Sequence, residues 1–160
     1  MSTGDERNGG TDARVFIILH AGKDGKEKTS GKIWLDNGSF ERNKTDIFEI
    51  DVATLLSPVS KIEIGHDNKG LGPGWFLDRV VVLCYATGIE QVFLCGKWLA
   101  TDQEDGLIQR TLYEQKAVRK QREKSKLVDF GFMVFNATFN NVSVISWRSV
   151  LMVEETGENH

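Results

Sequence analysis

Thiols, imidazoles and long apolar runs are all scarce in this chain. Of its 160 residues only Cys84 and Cys95 carry a thiol. Both sit inside apolar runs, VVVLCYA and QVFLCGKW, where buried free thiols in a reducing compartment are commoner than a disulfide. His20, His66 and His160 are the only histidines, and no G-x-S-x-G, H-E-x-x-H or phosphate-cradling glycine loop accompanies them. So thin an inventory gives catalysis little to work with, and a non-enzyme is expected. No stretch approaches the roughly 18 apolar residues of a membrane-crossing helix, and the opening MSTGDERNGGTDAR lacks the apolar core of a secretory leader. A soluble, cytoplasmic protein is therefore expected, and the N-x-S/T sequons at Asn37, Asn43, Asn136 and Asn141 read as chance matches. Charge of one sign is also missing. A formal net charge of −3 exerts no overall pull on nucleic acid or anionic lipid, so binding of that kind needs a local patch or a bridging cation.

What the chain does have is a 40% hydrophobic composition with nine Phe and four Trp, enough for one core. The apolar residues come in short runs, RVFIILHA, GKIWLDNG, DIFEIDVATLL, SKIEIGHD, WFLDRVVVLCYATG and IEQVFLCGKWL, separated by Gly, Asn, Asp and Pro clusters. That spacing predicts an all-β antiparallel sandwich or barrel. In DIFEIDV, Phe48, Ile50 and Val52 share one face and Glu49 and Asp51 the other, whereas Val80 to Leu83 is apolar on both faces, as in a central covered strand. Residues 114–126 hold six basic and two acidic side chains without an apolar stripe. They predict a solvated helix or basic linker, with lipid binding by the run as a second reading. Residues 127–160 turn apolar and β-prone again.

Two loops offer oxygen ligands of the kind Ca2+ takes six to eight of. GGTDA supplies the Asp12 carboxylate and backbone carbonyls around Gly10 and Thr11; WLDNGSFER supplies Asp36, Asn37 and Glu41. The same residues also suit ordinary turns, in which Asx side chains satisfy local backbone donors. His66 beside Asp67 could act as an acid/base pair or simply cap a turn. In HDNKGLGPGWFLD the glycines and Pro73 shape a corner ahead of Trp75, which is expected to anchor the core with its indole N–H on a loop carbonyl.

The segments GGTDARVFIILHAGKDGK, FERNKTDIFEIDV, KIEIGHDNKGLGPGWFLDRVVV and FLCGKWLATDQEDGLIQRTLY together resemble a PLAT domain, also called LH2 or lipoxygenase homology domain, over residues 11–113. The HDN-G-GPGWFLD phrasing resembles the tandem-repeat PLAT proteins of hair-cell stereocilia. The resemblance implies an eight-stranded, C2-like antiparallel β-sandwich of two four-stranded sheets. It implies a non-catalytic targeting or scaffold module that meets membrane lipid headgroups or a membrane-associated protein, peripheral to the plasma membrane. It would set the Asp12 loop beside the Asp36–Glu41 loop, so that three carboxylates converge on calcium, although Ala13 and Ser39 stand where relatives carry further acids. Leu71 and Trp98 match positions where relatives place membrane-contacting aromatics; a lone exposed Leu is also ordinary on a soluble surface. The rival reading is a structural, metal-free protein-binding repeat. One departure matters: the family strand Y-x-V-x-V-x-T-G-D is cut to MSTGD here, leaving residues 1–10 as a polar leading segment. SVISWRSVLMVEETG, from this chain or from a neighbour, is a candidate to fill the gap beside the strand that starts at Arg14.

Overall fold

The computed structural model describes residues 1–52, 58–115, 120–121 and 148–151. Along the chain the strands are β1 (Ser2–Thr3), β2 (Val15–Ala21), β3 (Lys28–Thr29), β4 (Ile33–Trp34), β5 (Phe48–Asp51) and β6 (Val59–His66). They continue with β7 (Trp75–Cys84), β8 (Ile89–Leu99), β9 (Gln109–Tyr113), β10 (Lys120–Gln121) and β11 (Arg148–Leu151). All pairings are antiparallel, as the short, turn-punctuated apolar runs require.

One sheet runs β10-β8-β7-β11-β5 with β1 also on β7; the other runs β3-β2-β6-β9 with β4 also on β2. β3 and β4 occupy successive stretches of one edge of β2, and β1 and β11 successive stretches of one edge of β7. Taking each pair as one interrupted strand leaves four positions in each sheet, with β10 added at an outer edge. This is the expected eight-stranded sandwich.

The core is built by alternation. Val15, Ile17 and Leu19 of β2 and Ile62 and Ile64 of β6 face Leu77, Val80 and Val82 of β7 and Phe93 of β8. Leu77 and Val80 are three apart yet both point inward, where β7 shifts register against both neighbours: Leu77 and Arg79 stand opposite Thr3 and Ser2 of β1, β7 carrying the extra residue, and opposite Lys97 and Leu94 of β8, where β8 carries it. Val81 and Leu83, on the other face of β7, are buried too. The centre of the core is Trp75, 0% exposed, met edge-on by Phe40 at 5.5 Å, which in turn stacks on Phe48 at 5.7 Å.

Four sequence expectations change. Residues 1–10, polar in composition, join the sandwich: Ser2 and Thr3 pair with Arg79 and Leu77, and Met1 is 1% exposed. The Trp75 indole donates not to a loop carbonyl but to the Thr3 hydroxyl, at 2.8 Å. The tail segment does enter a sheet, but through Arg148–Leu151 between β5 and β7, in the layer opposite β2 rather than beside it. Two-sided backbone pairing explains the choice, since the stretch of β7 beyond β1 and the edge of β5 would otherwise both lack ladders there. Of the basic stretch, Glu114 bridges Phe93, Gln115 N–H bonds the Val92 carbonyl and Lys120–Gln121 form strand on β8, not helix; residues 116–119 and 122–126, like 127–147 and 152–160, lie outside the described residues.

Candidate functional site: a groove among the loops at one end

The ladder partners Val15 with His66 and Trp75 with Leu99 bring the corresponding strand ends together, and with them the loops they carry. Those loops enclose a groove of about 870 Å3, whose lining includes Asp12, Glu41, Arg7, Arg42, Leu71 and Trp98.

Residues 10–12 form its seam. Thr11 N–H donates to the Phe40 carbonyl at 3.0 Å, and Asp12 N–H to the Gly72 carbonyl at 3.1 Å. Asp12 Oδ2 accepts the Gly72 N–H at 3.2 Å, and the Thr11 hydroxyl donates to the Pro73 carbonyl at 2.7 Å while accepting the Ala13 N–H. Gly10 must be glycine for this approach: a Cβ there would stand 2.9 Å from the Phe40 carbonyl oxygen and 3.1 Å from the Glu41 Cα. Gly70, at φ +100°, similarly gives way to the Asp12 side chain. The neighbouring loop is shaped by Asp46, which accepts the Ser39 and Phe40 N–H groups at 2.7 and 2.9 Å.

The structure thus gathers Gly10, Thr11, Asp12, Glu41, Leu71 and Trp98 at one groove. Asp36 and Asn37 lie outside its lining. Asp36 Oδ1 instead pairs with Arg14 at 3.1 Å, the guanidinium also covering Trp34 at 4.6 Å, and Asn37 takes a left-handed turn conformation at φ 70°. Among the described residues no group of three or more carboxylates, imidazoles and thiols is gathered to hold a metal. The expected three-carboxylate convergence of Asp12, Asp36 and Glu41 is not formed among the described residues, and Asp36 meets Arg14 instead.

Leu71 is 103% exposed, a bare apolar tip at the groove. Trp98 sits edge-on to Phe76 at 5.5 Å. Its backbone carbonyl accepts from Arg110 Nε and Nη2 at 3.1 and 2.7 Å, and the same guanidinium grips Asp105 through Nη1 and Nη2. Arg7 and Arg42 escaped the sequence reading. Their signal was present, two cations within or beside loops already singled out, but Arg42 points to Asp5 at 2.7 Å only after a 37-residue return of the chain.

The His66–Asp67 pair is architectural. His66 is buried, with Nε2 at 2.8 Å from the Leu99 carbonyl and Nδ1 accepting the Asn68 N–H at 3.0 Å, which fixes the proton on Nε2. Desolvation lowers its pKa below 6.5 against the opposing pull of the Leu99 carbonyl and Asp67. Asp67 has the opposite balance: desolvation pushes its pKa up, but the N–H groups of Lys69 and Arg14 outweigh that and hold it below the ordinary carboxylate value.

Comparison with known proteins agrees with this architecture. The family model of the PLAT/LH2 domain matches residues 1–113. Lipoxygenase homology domain-containing protein 1 of Homo sapiens is 47% identical over 122 residues, 76% of this chain but 6% of that protein. Polycystin-1 of Homo sapiens is 40% identical over 113 residues, 69% of this chain and 2% of its own length. Both relatives are thus far longer than the region shared. Among solved structures, coral 8R-lipoxygenase, described as calcium-activated through a C2-like domain, aligns with TM-score 0.58 at 22% identity over 71% of this chain and 16% of its own. A lipoxygenase solved with arachidonate aligns with TM-score 0.60 at 24% identity, over 71% of this chain and 15% of its own. At such identities these likenesses speak for the fold alone. With the match running from residue 1 to 113 and strand pairings to support it, the chain belongs to the PLAT/LH2 domain family.

Proposed function

We propose that this PLAT domain is a non-catalytic docking module whose loop-end groove engages a membrane surface, peripherally at the cytoplasmic side of the plasma membrane. The observation that carries the reading is Leu71, a fully exposed apolar tip on the same groove as Trp98, Arg7 and Arg42. An apolar side chain that enters the headgroup boundary contributes about 1.5–3 kcal/mol, and each cation near anionic lipid about 1 kcal/mol. Catalysis is disfavoured by what His66 does: both ring nitrogens are committed to backbone partners.

Calcium fits only thinly. Asp12, Glu41 and Asp102 line the groove without gathering into one cluster among the described residues, and Asp36 pairs with Arg14, so the acids fall short of a tight site. Any calcium held there would be an assistant, bound by Asp12, Glu41 and nearby backbone carbonyls, and docking through Leu71 does not require it. A protein partner is the second reading, favoured by the polar rim that Asn8, Asp102 and Gln103 add to the groove.

Co-sedimentation with vesicles of phosphatidylcholine and phosphatidylserine, in calcium and in chelator, tests this. Binding in both conditions that Leu71→Asp weakens supports metal-independent docking; binding lost in chelator restores calcium to the centre. No binding in either condition rejects the membrane reading in favour of a protein ligand.

A further inference from the structure

β1 and β11 run in the same direction along one edge of β7. Leu151 stands opposite Val82 and Ser2 opposite Arg79, so only Val80 and Val81 separate the end of β11 from the start of β1. On its other side β11 pairs residue for residue with β5, Arg148 opposite Asp51 through Leu151 opposite Phe48. It is therefore an interior strand of four residues, and no tight turn ties it to either neighbour: β5 and β7 both lie far back in the sequence. Its register is set by the two ladders it completes. The walls it closes are buried ones, Val82, Leu83 and Cys84 on β7 and Ile50 on β5.

We propose that the slot between β5 and β7 is a strand-acceptor site, and that the partner it fits is the Arg148–Leu151 segment of a second copy of this chain. The same backbone ladders form whichever copy donates the segment, so contacts do not distinguish the two arrangements. What distinguishes them is the tether, which raises the effective concentration of a chain's own segment. Exchange is then governed by concentration, and reciprocal donation closes a two-fold dimer without any new surface. The inference is independent of the loop-end groove, since the slot and the groove share no residue named here.

Ser149 stands directly opposite Cys84. Directly opposed antiparallel residues hold their Cβ atoms about 4.5–5.5 Å apart, near the 3.5–4.5 Å of a disulfide, so a Ser149→Cys bond to Cys84 needs only a small adjustment. In the 160-residue Cys95→Ser, Ser149→Cys protein, oxidation at high dilution should give an intrachain bond. Next, one copy carrying Cys95→Ser alone is mixed with a second carrying Cys84→Ser, Cys95→Ser and Ser149→Cys, and the mixture is oxidised after incubation at increasing concentration. A covalent heterodimer requires the second copy's strand in the first copy's slot. The expected result is a heterodimer fraction that rises with concentration and falls at least tenfold when Val150→Pro is added to the donor. An intrachain bond without heterodimer at any concentration overturns exchange between copies; failure of both bonds overturns the slot itself.

Discussion

The indole Nε1 of Trp75 donates to the hydroxyl of Thr3 at 2.8 Å, a buried bond between residues 72 positions apart. It ties the largest core side chain to a strand of only two residues. Thr3→Val keeps the shape and removes the acceptor, leaving a buried donor unsatisfied, which costs about 1–3 kcal/mol. Thr3→Ser should restore most of the loss. Urea midpoints at an unchanged slope check both.

Acid should weaken the fold through His66. In the unfolded chain the imidazole has its ordinary pKa of about 6.5, while in the fold desolvation holds it lower, so between the two values the unfolded state binds more protons. Stability is complete above pH about 6.5 and declines as pH falls through the depressed folded value. Asp67 and Asp105, both held below 3.8, add a separate decline at more acid pH. Denaturant midpoints from pH 8 to 5 should show the first decline in the wild type and not in His66→Gln, whatever that variant's baseline.

Leu71 touches too little to matter for folding. Leu71→Asp should leave the melting temperature within the range of surface changes, about 0.5 kcal/mol, yet reduce vesicle binding about tenfold or more. A variant that melted early would mean that Leu71 packs on something, contrary to its exposure.

Arg110 should behave as a structural clamp. Its guanidinium divides four hydrogen bonds between the Trp98 carbonyl and the Asp105 carboxylate. Arg110→Ala should cost about 2 kcal/mol or more by removing charge-assisted bonds. Arg110→Lys should rescue little, because an ammonium cannot reproduce the fork. Thermal melts of the three proteins decide the matter, and vesicle binding by the variants reports whether Trp98 loses its place at the groove.

The sandwich was legible where a strand has one wet and one dry face. The alternation of DIFEIDV and KIEIG placed Ile50, Ile62 and Ile64 inward, and the structure buries all three. Composition misled at residues 1–10, because Met1 and Thr3 are the only side chains there that need to pack for a polar stretch to hold its strand. The site was harder. Asp12 and Glu41, joined in the sequence only by loop resemblance, both line the groove, whereas Asp36 meets Arg14, whose guanidinium also lies over Trp34. Long-range pairing of this kind leaves no local pattern. The ladder slip between Leu77 and Arg79 left one mark, Gly96 inside the β8 run, at φ 59° on the strand that carries the extra residue.

β11 follows every other described strand in the sequence but lies inside its sheet rather than at a margin. During synthesis β5 and β7 therefore leave the ribosome well before the strand that lies between them. Until residues 148–151 arrive, that seam of the nascent domain stands open, and its closure joins segments about a hundred residues apart, the slow kind of contact. A pause or a chaperone acting between Cys84 and Leu151 thus has more leverage on the yield of native protein than one acting earlier.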